Sequence, residues 1–120
     1  LIVVNYANGD MVGHTGILEA AVKAVECLDG CLGRLEGAVQ DAGGVLLVTA
    51  DHGNCERMMD TENNHPHTAH TMNLVPVVMA NAPGWVKGLG NGRLSDVAPT
   101  LLEVAGLEKS IGMDGVSLFA

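Results

Sequence analysis

The feature that most constrains the fold of this chain is a set of three short aliphatic runs, each too short for a helix and rich in β-branched residues. The runs span Leu1 to Tyr6, Val45 to Thr49 and Leu74 to Ala80. Continuous apolar runs of this length are typical of strands that are buried on both faces of a sheet. Because only 2% of the residues are aromatic, the core around such strands would be almost entirely aliphatic.

Two further stretches have the periodicity of helices. The spacing of three and four residues between apolar side chains predicts one long amphipathic helix from about Ile17 to Gln40, which Gly43-Gly44 ends. A second helix is predicted from Ser95-Asp96, which would cap it, to about Ala105. The apolar stripe of the long helix consists of Leu18, Ala21, Val22, Val25, Leu28, Leu32, Leu35 and Val39.

Strands that alternate with helices predict an α/β fold with a parallel sheet flanked by helices on both faces. A length of 120 residues suits one domain. The polar stretch from Asp60 to His70 and the glycine-rich stretch from Asn81 to Arg93 have no periodicity, so both are predicted to be loops. Sheets of this kind bind ligands at the carboxyl ends of their strands.

Five side chains that can bind metal ions lie in three segments beside the predicted strands: Asp10 and His14, Asp51 and His52, and His70. Carboxylate oxygen and neutral imidazole together suit borderline divalent ions such as manganese, zinc, iron or cobalt, whereas magnesium prefers oxygen ligands. The combination therefore indicates a metal site, provided that the fold brings the segments together.

The first two segments each have a simpler explanation. Asp10 and His14 are four residues apart, so they share a face if the chain is helical after Gly9, but an isolated pair of this kind also fits an acidic helix start with an incidental histidine. Asp51 and His52 can converge only where the strand breaks, and Gly53 supplies that break. The alternative is that Asp51 caps the turn and His52 is exposed.

His65, His67 and His70 lie in the polar stretch, where surface exposure is the alternative to metal binding. His70 is the preferred ligand because it lies nearest the third aliphatic run. The three segments considered jointly favour a metal site much more strongly than any one of them does.

Charge and composition exclude several classes of function. The formal net charge of −8 repels nucleic acid and anionic membrane surfaces, and no apolar run reaches the roughly 20 residues of a membrane span. Three cysteines without CxxC spacing are predicted to be free thiols in a reducing compartment, so we expect a cytoplasmic protein. The six basic residues lie outside the ligand segments, which leaves no clamp for a phosphate there.

The ligand segments resemble those of the cofactor-independent (2,3-bisphosphoglycerate-independent) phosphoglycerate mutases, which belong to the alkaline phosphatase superfamily. The resemblance rests on NYANGDMVGHTG, TADHGN and TAHT in this order, followed by SDVAPTLLEVAGL and MDGVSL. It covers essentially the whole chain. This sequence departs from the family at Gly9, where proline is usual, which changes the stiffness of the loop but no ligand.

The resemblance implies that Asp10, His14 and His70 hold one divalent ion and that Asp51 and His52 form part of a second site. The two ions would be Mn²⁺, with Zn²⁺, Co²⁺, Fe²⁺ or Mg²⁺ as alternatives. The implied reaction interconverts 3-phosphoglycerate and 2-phosphoglycerate through a phosphoserine. The family's nucleophilic serine, a further aspartate ligand, a lysine and the inserted substrate domain have no counterpart in these residues, so we assign no catalytic residue here.

We therefore expect residues 1–120 to be the C-terminal portion of a phosphatase-like metal-binding domain, with phosphoglycerate and the remainder of its own chain as partners. The run from Leu1 begins without a turn or cap, which suggests a cut point inside a longer chain. Two alternatives stay open: another phosphomutase or phosphatase of the same superfamily, and a fragment that binds metal but catalyses nothing.

Overall fold

A computed structural model describes all 120 residues, and it confirms the α/β class. Most of the regular structure lies in one long helix and one strand pair. The helices are α1 (Asn8–Gly13), α2 (Leu18–Asp41) and α3 (Val97–Val104), and the strands are β1 (Leu46–Thr49), β2 (Met59–Asp60), β3 (His65–Pro66) and β4 (Val77–Ala80).

The two longer strands, β1 and β4, form an antiparallel pair in which Leu46 lies opposite Ala80 and Thr49 opposite Val77. The predicted parallel sheet is therefore not confirmed. Apolar runs report that a strand is buried but not the direction in which it runs. The antiparallel return has a consequence for the site: the carboxyl end of β1 and the amino end of β4 lie at the same edge, and residues 50–76 loop out from that edge.

The aliphatic run at the amino terminus is not a strand, so that prediction is wrong for this structure. Leu1, Ile2 and Val3 are almost fully exposed, and residues 1–6 pair with no other segment. Apolar, β-branched sequence favours extended backbone, but a strand also needs a neighbour that accepts and donates its backbone hydrogen bonds.

The long helix α2 spans the stretch that its periodicity predicts and packs against α1, but Leu18, Val22 and Val25 of its apolar stripe are exposed. Its buried residues are Ala21 and Ala24. Gly43 adopts a φ of +68°, and the Gly44 amide donates to the Val39 carbonyl at 2.8 Å, which ends the helix as expected.

The excursion between the two strands is more ordered than predicted, because β2 and β3 form a short antiparallel hairpin. The Asp60 carboxylate accepts the Glu62 amide at 3.0 Å and the Asn63 side-chain amide at 2.9 Å. Asn64 then takes the left-handed conformation, with φ of +53°. An aspartate that organises its own turn explains why a segment without periodicity is folded.

The segment around α3 holds the best-buried polar residues. A 3-10 turn at Leu94–Asp96 leads into the helix. The Asp96 carboxylate accepts the amides of Arg93 at 2.7 Å and Val116 at 2.9 Å. The fully buried Thr100 hydroxyl donates to the Asp96 carbonyl at 2.7 Å and accepts the Leu118 amide at 2.9 Å. These bonds hold the carboxyl-terminal segment, residues 116–118, against the helix.

Two observations bear on the composition. No helix combines the length and the apolar character that crossing a bilayer requires. The three cysteines are free thiols, but Cys27 is exposed and Cys31 and Cys55 are half-buried, so they do not lie in the core.

Candidate metal centre

The edge where β1 ends and β4 begins also receives α1, and four of the five predicted ligands meet there. The Oδ1 atom of Asp10 is the centre of the cluster. It lies 3.0 Å from Nε2 of His70, 3.2 Å from Nε2 of His14 and 4.0 Å from Nε2 of His52. Helix α1 places Asp10 and His14 on one face, as the spacing of four residues predicts.

Two backbone carbonyls fix the orientation of the imidazoles. Nδ1 of His14 lies 2.7 Å from the carbonyl oxygen of Thr68, and Nδ1 of His52 lies 3.3 Å from that of Gly53. A carbonyl only accepts, so Nδ1 carries a proton in each ring, and in the neutral form of the ring Nε2 then keeps its lone pair. Both lone pairs face the Asp10 carboxylate, which is the arrangement that histidine ligands adopt around metal ions.

The cluster concentrates electron-rich atoms. Nε2 of His14 and Nε2 of His70 are 3.1 Å apart, and the His52 and His70 rings stack with centroids 3.8 Å apart. The ligand atoms of Asp10, His52 and His70 all lie within 4.8 Å of one another. A carboxylate and imidazole lone pairs at these distances repel unless a proton or a cation lies among them. The donor set therefore fits a divalent cation.

The remaining predicted ligand lies at the rim. The Asp51 side chain is 86% exposed, and its Oδ1 is 3.7 Å from Nε2 of His52. His65 belongs to the hairpin, where it approaches Asp60 at 3.7 Å. His70 reaches Asp10, whereas His65 does not.

Asn54 is a residue of the site that sequence reasoning missed. It is buried, and its side-chain amide donates to Oδ1 of Asp10 at 2.9 Å and to the Asp10 carbonyl at 3.3 Å. This hydrogen bond is the main reason that the pKa of Asp10 lies below its usual range. Burial, the next largest effect, acts in the opposite direction, and positive charge on His14, His70 and His52 adds to the lowering.

Glu56 is the second missed residue. Its carboxylate accepts the Asn54 backbone amide at 2.6 Å, the Asn73 side-chain amide at 2.9 Å and the Thr71 hydroxyl. Burial opposes ionisation, but the hydrogen bonds, that of Thr71 first, outweigh it and lower the pKa of Glu56. The signal available in the sequence was position: both polar residues follow directly on Asp51-His52-Gly53.

The basic side chains that form ion pairs do so elsewhere. Arg57 approaches Asp60 at 3.8 Å and Arg93 approaches Asp96 at 4.0 Å. The charge of the cluster is thus set by its carboxylates and histidines.

Comparison with known proteins agrees with this chemistry. A family model described as the metalloenzyme superfamily matches residues 1–109. The chain belongs to the metalloenzyme superfamily.

Several curated relatives carry the name 2,3-bisphosphoglycerate-independent phosphoglycerate mutase. The protein from Ruegeria pomeroyi is 58% identical over 118 residues, which are 98% of this chain and 23% of the relative. That from Roseobacter denitrificans is 57% identical over 120 residues, which are 100% of this chain and 24% of the relative. That from Ehrlichia ruminantium is 53% identical over 118 residues, 98% and 23% respectively. The chain thus spans about a quarter of the length of the curated relatives it matches.

A solved structure has the same fold. It is described as Leishmania mexicana phosphoglycerate mutase at low cobalt concentration. The match has a TM-score of 0.80 and 35% identity, and it covers 97% of this chain and 24% of that one.

Proposed function

We propose that this chain is the principal metal-binding part of a cofactor-independent phosphoglycerate mutase, which interconverts 3-phosphoglycerate and 2-phosphoglycerate through a phosphoserine. The observation that carries the proposal is the convergence of three imidazole nitrogens on the Asp10 carboxylate within 4.0 Å. Relatives with 53% to 58% identity and the mutase name give the substrate and the reaction.

The ligands divide between two ion sites in this proposal. The first site consists of Asp10, His14 and His70, and the second site includes Asp51 and His52. Supporting this division, His14 and His70 approach Asp10 Oδ1 most closely, whereas His52 lies between Asp10 and Asp51. The mixed oxygen and nitrogen donors favour Mn²⁺, with Zn²⁺, Co²⁺, Fe²⁺ or Mg²⁺ as alternatives.

Bound divalent ions would stabilise a deprotonated hydroxyl nucleophile and the charge on the transferring phosphoryl group. The residues of this chain prepare that chemistry. Thr68 holds the proton on Nδ1 of His14, so Nε2 stays available as a donor. Asn54 keeps the Asp10 carboxylate ionised and oriented.

Charge explains why the site suits an anionic substrate in an acidic chain. Two divalent cations would add roughly four positive charges, and Asp10 and Asp51 would cancel roughly two of them. The occupied site would therefore attract phosphate despite the net charge of −8. A nucleophilic serine and the groups that grip phosphoglycerate would come from the remainder of the longer protein.

A chimera tests the proposal. This chain would replace the matching 118 residues of the Ruegeria pomeroyi relative, and phosphorus NMR would follow 3-phosphoglycerate in the presence of Mn²⁺. We expect interconversion with 2-phosphoglycerate, and loss of it in the His14→Ala and Asp51→Asn chimeras.

The matched control is Asn63→Ala, which removes an amide-to-carboxylate hydrogen bond in the hairpin, remote from the ligands. It should leave the rate unchanged. A folded, manganese-loaded chimera that fails to isomerise would refute the proposal. Release of inorganic phosphate in place of isomerisation would favour the phosphatase alternative.

A further inference from the structure

The loop Gly53–Glu56 touches every one of the three ligand segments. Its Asn54 side chain reaches the Asp10 segment. Its Glu56 side chain reaches Thr71 and Asn73 beside His70. The loop itself continues directly from the Asp51-His52 segment. We call this loop the bracket.

The bracket is also closed on itself. The Asn54 backbone amide donates to Oε2 of Glu56 at 2.6 Å, while Oε1 of Glu56 accepts the Asn73 and Thr71 side chains. The Thr71 amide donates to the Gly53 carbonyl at 2.9 Å. Three donors thus surround the Glu56 carboxylate, one at Oε2 and two at Oε1.

Two glycines show how tightly the bracket is packed. A Cβ atom at Gly13 would lie 2.8 Å from Cγ of Asn54, and one at Gly53 would lie 2.6 Å from Oε1 of Glu56. Both distances are shorter than a side-chain carbon tolerates. The absence of side chains at these two positions is therefore what allows Asn54 and Glu56 to reach their partners.

We propose that Asn54 and Glu56 are positioning residues, which hold the three ligand segments in a metal-ready arrangement without contacting the ion. This inference rests on the proposed metal binding. Hydrogen-bond partners of metal ligands commonly contribute about 10-fold to 100-fold to metal affinity. Here one loop bonds to the ligand Asp10 through Asn54 and to Thr71, the residue after the ligand His70, through Glu56.

The test measures Mn²⁺ affinity by calorimetry on the 120-residue chain and on two variants. Asn54→Ala removes both hydrogen bonds to Asp10. Glu56→Gln presents an amide nitrogen to at least one of its donors, because glutamine has one acceptor oxygen where the glutamate has two. We expect the dissociation constant to rise about 10-fold to 100-fold in each variant. Asn63→Ala and Glu62→Gln are matched controls in the hairpin and should stay within about twofold of the unmodified chain.

A spectroscopic readout separates positioning from general stability. The visible absorption of bound Co²⁺ depends on the coordination geometry, so saturated Asn54→Ala and Glu56→Gln should give altered spectra while their far-ultraviolet circular dichroism is unchanged. If either variant fails to fold, Thr71→Val reads the same Glu56 contact from its other side. It should weaken Mn²⁺ binding by a similar factor.

The possible results lead to different conclusions. An unmodified chain that binds neither Mn²⁺ nor Co²⁺ would refute the proposed metal binding itself. A chain that binds both ions, with folded variants of equal affinity and identical cobalt spectra, would overturn the positioning roles and leave the metal site intact.

Discussion

The pH dependence of Mn²⁺ binding can be predicted from the donor set of the first site. The number of histidines in that set determines how steeply the logarithm of the affinity changes with pH. His14 and His70 must both be neutral when they coordinate, whereas a protonated imidazole carries a proton where the ion would bind. The pKa of Asp10 is lowered, so its carboxylate stays ionised well below the range where imidazoles titrate, about pH 6.5. Where Asp10 is already ionised, only the histidines make the affinity for Mn²⁺ depend on pH.

The magnitude follows from the count of ligands. Two histidines that are both protonated before binding release about two protons per ion, so the logarithm of the apparent affinity should fall by about two for each unit of pH. In His14→Ala one imidazole remains, and the slope should fall to about one. At neutral pH the same variant should lose more affinity than the roughly 100-fold upper effect of removing a ligand's hydrogen-bond partner.

Calorimetry in two buffers of different ionisation enthalpy measures the released protons directly. The His52→Ala variant is the matched comparison, since the atoms of Asp10, His52 and His70 form the alternative donor set. A slope that stays at two in His14→Ala and drops in His52→Ala would show that the ion uses the alternative set. No proton release in the unmodified chain would mean that carboxylates alone hold the ion.

Three further predictions concern stability and activity. The pKa of Asp96 is lowered by the amides of Arg93 and Val116. Its contribution to stability is therefore present above about pH 3.8 and is lost as the pH falls through the lower folded value. In thermal unfolding, the melting temperature of Asp96→Asn should depend less on pH in this acidic range than that of the unmodified chain. Thr100→Val should reduce the free energy of unfolding by about 1–3 kcal/mol in urea, because the buried Leu118 amide loses its acceptor, whereas Thr100→Ser should keep that bond. A polypeptide of residues 1–120 alone should not interconvert the phosphoglycerates, and turnover that persists after rigorous purification would contradict this.

Local patterns in the sequence predicted the helices well. The stripe of α2 and the glycine that ends it are local signals, because the backbone hydrogen bonds of a helix join residues that are four apart in sequence. The same is true of the pair Asp10 and His14, which needs only one helical turn to share a face. These parts of the structure depend on neighbours in sequence.

The sheet depended on information that local patterns do not hold. The direction of β4 relative to β1, and the lack of a strand at residues 1–6, are decided by which segments pair. Asn54 and Glu56 escaped notice for a related reason, since their importance lies in partners 44 and 15 positions away, Asp10 and Thr71. The sequence showed which residues can bind a metal ion, but it did not show which residues orient those ligands.

The hairpin of β2 and β3 makes this chain a practical scaffold for labelling. Its tip, between Asp60 and His65, lies beyond the bridge that joins Gly53 to Thr71, so the strand edge and the ligands are already closed off below it. Exposed turns of this kind accept added residues with little loss of stability. A fluorophore or affinity tag inserted after Glu62 would therefore report on the protein while leaving the ion-binding cluster unaltered.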